Sequence, residues 1–129
     1  MKRILLVDDE VTVRRVMSLA LVRAGFDVHT AANGEEALEQ IRGREPDVLI
    51  TDVEMPRMDG YTLCQTLRGE IPDREFPIFV VTSLTERDLR KWSSTIDNLY
   101  FLEKPISIRK LLALLEGALG PQKAAGVSA

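Results

Sequence analysis

Short apolar runs alternate with amphipathic stretches along this chain. Ile4–Val7 is an unbroken apolar run, the pattern of a strand buried on both faces. Between Glu10 and Ala24, the residues Val13, Val16, Met17, Ala20 and Ala24 recur at helical spacing, with Arg14, Arg15, Ser18 and Arg23 between them. Gly25 suits the end of that helix. Val28–Ala32 reads as a second strand, and Asn33-Gly34 turns the chain into a short helix carrying Ala37, Leu38 and Ile41. Pro46 precedes a third strand, Val48–Thr51, which leads into a turn-rich loop from Asp52 to Gly60. Leu63, Cys64 and Leu67 mark a third helix, and Pro77 opens the apolar strand Ile78–Val81. Thr85–Ile96 reads as a helix with Leu89, Trp92 and Ile96 on one side, and Leu99–Leu102 as a fifth strand. The last helix runs from Ser107 to Leu119 with Ile108, Leu111, Leu112, Leu115 and Leu119 on one stripe.

Strands and helices alternate throughout, five of each. That order predicts an α/β fold with a doubly wound parallel sheet, helices on both faces and right-handed crossovers. No internal repeat is found. The 129 residues suit one domain, expected over residues 1–119, with 120–129 as a flexible tail of small and polar residues. No run approaches the ~18 apolar residues of a membrane span. Met1–Val7 is basic then apolar but meets Asp8-Asp9-Glu10 at once, unlike a signal peptide, so the cytoplasm is the expected compartment. A net charge of −3 weighs against a nucleic-acid-binding surface. Cys64 is the only cysteine, which excludes an internal disulfide and a cysteine zinc site. His29 is the only histidine, which excludes Ser-His-Asp and Cys-His catalysis within one chain. His29 reads as a half-exposed strand residue, Cys64 and Trp92 as core, and Arg14, Arg15 and Arg23 as a solvated helix face.

Ligands of open α/β sheets bind beyond the carboxyl ends of the strands. Here those ends carry Asp8, Asp9 and Glu10 after the first strand and Asp52 after the third. Thr82 and Ser83 follow the fourth, and Glu103, Lys104 and Pro105 the fifth. Each alone has a plainer reading: an acid or a threonine there caps the next helix, and a lysine is solvated. Together they differ. Three aspartates in one pocket repel one another, and a hard divalent cation such as magnesium relieves that. A carboxylate nucleophile, magnesium, a lysine and a hydroxyl are the parts needed to move a phosphoryl group.

The four segments Ile4–Glu10, Asp47–Gly60, Val80–Ser83 and Phe101–Pro105 resemble, in order and spacing, the receiver domain of two-component response regulators. The resemblance covers about Lys2 to Leu119. It implies a flavodoxin-like fold with strand order 2-1-3-4-5 and five flanking helices. Asp52 matches the phosphoacceptor. Asp8 and Asp9 match the acidic pair that holds Mg2+, Asp9 directly and Asp8 through water, and Glu54 would offer its backbone carbonyl. Thr82 matches the switch hydroxyl, Phe101 the switch aromatic and Lys104 the phosphate-pairing lysine. The Lys104-Pro105 bond is cis in the family, and Gly60 would start the third helix. Ile96-Asp97-Asn98 departs from the small-residue run common there, with Asn98 able to adopt a left-handed turn. Ser83 replaces a common alanine, Phe101 a frequent tyrosine, and Glu54 adds an acid beside the site.

The function expected is a phosphorylation switch. It accepts a phosphoryl group on Asp52 from a sensor histidine kinase or phosphotransfer protein. It signals to an output protein, not identified by the sequence, through the face of the fourth helix, fifth strand and fifth helix. It is not an enzyme beyond its own phosphorylation and dephosphorylation. It is expected to be a monomer or weak dimer, with no direct nucleic-acid binding and no membrane contact. No helix-turn-helix fits after Leu119, so a stand-alone regulator is the simplest reading. A haloacid-dehalogenase-type phosphatase would need an Asp-x-Asp pair after the first strand, whereas Asp8 and Asp9 are adjacent. A phosphate-independent pseudo-receiver would lack an acid or the lysine, and none is missing.

Overall fold

The computed structural model describes residues 1–83 and 95–120. The five strands are β1 (Arg3–Val7), β2 (Asp27–Ala31), β3 (Val48–Asp52), β4 (Ile78–Thr82) and β5 (Leu99–Glu103). All pairings are parallel and the order is β2-β1-β3-β4-β5, the doubly wound arrangement the alternation and the resemblance lead to. Among the described residues there are four helices: α1 (Val11–Arg23), α2 (Gly34–Gly43), α3 (Gly60–Glu70) and α4 (Ile108–Leu119). Residues 85–94 of the expected 85–96 helix, with Leu89 and Trp92, lie outside the described residues, as does the tail from 121. Thr95 and Ile96 are not helical, although Ile96 is buried.

Alternation along the central strands builds two cores. Leu5, Val7, Leu49, Ile78 and Val80 pack on one face against α2 and α3. Ile4, Leu6, Val48, Ile50, Phe79, Val81 and Leu102 pack on the other against Met17 and Leu21 of α1 and Leu111 and Leu115 of α4. Both faces of β3 and β4 are covered, which is why those strands read as unbroken apolar runs.

Helix ends follow local chemistry. Asn33 accepts the Glu36 N–H at 2.9 Å, Asp59 accepts the Thr62 N–H at 2.8 Å, and Ser107 accepts the Lys110 N–H at 3.3 Å. Gly25 leaves α1 with φ 98°, and Asn98 takes φ 55° just before β5. Arg74 ties two loops together, donating to the carbonyls of Phe76 and Asp97.

The α1 stripe differs from the periodicity reading. Val16 is 58% exposed, whereas Leu21, absent from that stripe, is fully buried. The helix has apolar residues all round, so spacing alone could not choose the inward side. Arg14 is half-buried rather than simply solvated: its guanidinium donates to the Asp8 carbonyl at 2.6 Å.

Candidate functional site: an acidic pocket at the carboxyl ends of β1, β3, β4 and β5

Strands β3, β4 and β5 each run one residue further than their apolar runs, and this places the polar residues. Asp52 and Thr82 are the last residues of β3 and β4 rather than the first of the loops. Sheet pairing and the helix layers therefore enclose them, at 6% and 3% exposure. Asp8 follows β1 directly and is also buried, while Asp9 is exposed. Asp8 main-chain N–H donates to Ala31 at 3.1 Å, and one carboxylate oxygen accepts the Glu10 N–H at 2.9 Å.

Asp8, Asp9 and Asp52 each offer a carboxylate oxygen, and these atoms lie within 4.8 Å of one another. Burial raises the pKa of Asp8; the Glu10 N–H works against this, and the charges of Asp52, Asp9 and Glu10 add to the rise. A cluster of hard oxygens that disfavours its own charge fits a hard cation such as magnesium. Asp9, Glu10, Asp52, Glu54, Met55, Pro56 and Lys104 line one open cleft of about 420 Å³. Glu54 itself is exposed at this cleft.

Lys104 reaches back from the end of β5. Its Nζ lies 2.9 Å from Asp52 Oδ1 and 3.0 Å from Oδ2. Burial lowers the pKa of Lys104, but its hydrogen bond to Asp52 and the charges of Asp52, Asp8 and Glu10 outweigh that, leaving a net rise. Lys104 main-chain N–H donates to the Thr82 carbonyl at 3.0 Å, and the Lys104-Pro105 bond is cis. Phe101 is half-buried, pairs in register with Val80, and packs against the α2–α3 core.

The loop after β3 is closed by Gly60, whose N–H donates to the Val53 carbonyl at 2.8 Å. A Cβ on Gly60 would run into the Asp52 carbonyl oxygen, so only glycine lets α3 begin this close to the site.

The structure thus brings Asp9, Asp52, Glu54 and Lys104 to one cleft, with Asp8 joined to it through the carboxylate cluster and Thr82 joined to Lys104 through the main chain. Sequence reading missed Arg14 as a partner of the Asp8 carbonyl. Its signal lay in helix geometry: side chains lean toward the helix N-terminus, so an arginine in the first turn of α1 points back at the β1 end. His29 and Cys64 stand apart from the site. His29 Nε2 lies 3.2 Å from Asp27 on edge strand β2, and Cys64 is fully buried in α3.

Residues 4–116 match the model of the response regulator receiver domain. The chain belongs to this family. Among curated relatives, the response regulator MprA of Mycobacterium tuberculosis is 39% identical over 120 residues, 91% of this chain and 50% of the relative. The alkaline phosphatase synthesis transcriptional regulatory protein PhoP of Bacillus subtilis is 34% identical over 118 residues, 92% of this chain and 48% of the relative. The chain spans about half the length of these curated relatives. Among solved structures, chemotaxis protein CheY4 of Vibrio cholerae superimposes with a TM-score of 0.83 at 33% identity, covering 92% of this chain and 99% of that one. The receiver domain of Francisella response regulator 1452 gives 0.80 at 28% identity, covering 92% and 96%. As a receiver domain, the chain is a phosphorylation-dependent signalling switch of two-component systems rather than a conventional enzyme.

Proposed function

We propose that Asp52 is the phosphoacceptor of this receiver domain and that a histidine kinase or phosphotransfer protein is the donor. The observation that carries the reading is the Lys104 ammonium against both oxygens of Asp52, at the edge of the Asp8–Asp9–Asp52 cluster. A carboxylate oxygen of Asp52 attacks the phosphorus of the donor phosphohistidine. The P–N bond breaks, its electron pair returns to the imidazole, and an acyl phosphate forms on Asp52. Lys104 then meets a phosphoryl oxygen in place of the free carboxylate. Asp8, Asp9, Asp52 and the Glu54 carbonyl would hold magnesium, Asp9 directly and Asp8 through water. When bound, the ion offsets negative charge on the transferring oxygens. Turnover is limited to the domain's own phosphorylation and dephosphorylation.

Beside the site, α1 exposes Val11, Val16, Leu19 and Val22 together with Arg15 and Arg23. An apolar face with basic residues next to the cleft suits a protein donor better than a free small phosphate. Thr82 and Phe101 are the proposed relay to the output face, formed by residues 85–96, β5 and α4. The domain itself contacts proteins rather than DNA; any action on transcription belongs to a whole protein of the relatives' kind. Among the described residues no helix is long and apolar enough to cross a membrane. The lone thiol, with no disulfide, suits the cytoplasm.

The test is intact-mass measurement after incubation with acetyl phosphate and magnesium. One phosphoryl group is expected on the wild type and none on Asp52→Asn. Undiminished labelling of that variant overturns the assignment.

A further inference from the structure

Helix α2 contributes nothing to the acidic cluster, yet its first residue touches the loop that lines the acidic cleft. The Gly34 N–H donates to the Met58 carbonyl at 3.0 Å, across 24 residues of sequence. The first N–H groups of a helix have no partner within it, so this donor is available by construction. Asn33 fixes where the helix starts by capping it. A Cβ on Gly34 would lie 2.6 Å from the Met58 carbonyl oxygen, 2.7 Å from Met58 Cγ and 2.9 Å from Met58 Cβ. Two of those three atoms are main chain or attached directly to it, so they cannot swing aside. Gly34 has no left-handed backbone to demand glycine, and intrinsic helix propensity favours alanine. The close approach of the loop is what requires the bare Cα.

The loop is pinned at three places. Gly60 N–H holds Val53, Met58 N–H holds Pro56 at 2.8 Å, and Gly34 holds Met58. Arg57 sits at φ 67°, a conformation costly for a non-glycine residue, at the turn that leads into Met58. Glu54, Met55 and Pro56 of this loop line the acidic cleft.

We propose that Gly34 is a positioning residue for the site: it latches the Met58 carbonyl to the start of α2 and so fixes the loop that presents Glu54 to the magnesium. This rests on the magnesium-dependent reading above. Gly43, at the other end of the same helix, has open space where a Cβ would go, and it supplies the control. Calorimetric titration of the chain with magnesium chloride should show Gly34→Ala binding about tenfold more weakly, the scale seen when a group supporting metal ligands is lost. Gly43→Ala should bind as wild type does. Equal affinity in wild type and Gly34→Ala overturns the latch, as does an equal loss in Gly43→Ala. A wild type that binds no magnesium overturns the functional reading and the latch together. The unaltered chain gives a second readout that does not depend on the variant folding. Saturating magnesium should slow amide exchange at Gly34 and leave Gly43 unchanged, and an unaffected Gly34 amide overturns the proposal.

Discussion

Lys104 Nζ sits between the two carboxylate oxygens of Asp52, at 2.9 and 3.0 Å, and its own main chain is tied to Thr82. One residue therefore touches the acceptor through its side chain and the neighbouring strand end through its backbone. Removing the ammonium leaves Asp52 beside Asp8, and among the described residues no other cation pairs with it. Lys104→Ala should slow labelling by acetyl phosphate about tenfold or more, because a positioned positive charge is lost where negative charge must accumulate. Lys104→Arg should recover part of the rate. Wild-type kinetics in Lys104→Ala, measured by intact mass over time, would remove Lys104 from the site.

The same residue shows what the sequence made legible. Strand ends carry the chemistry in an open parallel sheet, and the apolar runs Ile4–Val7, Val48–Thr51 and Ile78–Val81 marked those ends to within one residue. That single residue mattered, since it puts Asp52 and Thr82 inside the sheet rather than in loops. The inward side of α1 was not legible, because Val16 and Leu21 are equally apolar and only packing against β1 and α4 selects Leu21. The Gly34–Met58 contact was not legible either. Spacing reports periodicity within an element, and this contact joins the start of α2 to a loop of a different crossover.

Asp8 is buried in the acidic cluster, as Asp52 is, and its charge is disfavoured by burial and by Asp52, Asp9 and Glu10. Asp8→Asn keeps an oxygen to accept the Glu10 N–H while removing the charge. The magnesium-free protein should gain roughly 0.5–2 kcal/mol, the range typical of surface-charge and similar optimisations. Magnesium affinity should fall at the same time. Urea denaturation in EDTA checks the first and calorimetry the second. A loss of metal-free stability would show that Asp8 is held by favourable contacts that outweigh the repulsion.

Cys64 lies fully buried on α3, and burial pushes its thiol up to about 12. A raised thiol pKa means the neutral form favours folding. That contribution is complete below the ordinary value of 9.0 and is lost as pH rises toward about 12. Iodoacetamide should therefore leave the native protein unmodified at pH 8 and modify it fully in urea. Raising the pH to about 9 should give little native reaction, because the folded thiol is still protonated. Rapid native alkylation at pH 8 would place Cys64 on an accessible surface.

Thr82 is the point where phosphorylation can be converted into movement. It is 3% exposed and ends β4, one residue beyond Val81, which pairs with Asp52. A phosphoryl group on Asp52 would offer its hydroxyl a charged acceptor, and such hydrogen bonds contribute roughly 1.5–3 kcal/mol. That is enough to shift a two-state equilibrium about tenfold or more. Thr82 pairs with Glu103, and its carbonyl accepts the Lys104 N–H, so a shift of Thr82 pulls on the end of β5. Phe101 lies two residues back on that strand and is only half-buried, so further burial of its ring can add to the bias. Beryllofluoride with magnesium should accordingly change amide exchange at residues 82–83 and 99–104. Thr82→Ala should still accept a phosphoryl group on Asp52 from acetyl phosphate, yet lose most of that exchange response. A full response in Thr82→Ala would show that the signal leaves Asp52 by another route, with Lys104 then the next residue to test because its side chain contacts the acceptor and its main chain the Thr82 carbonyl.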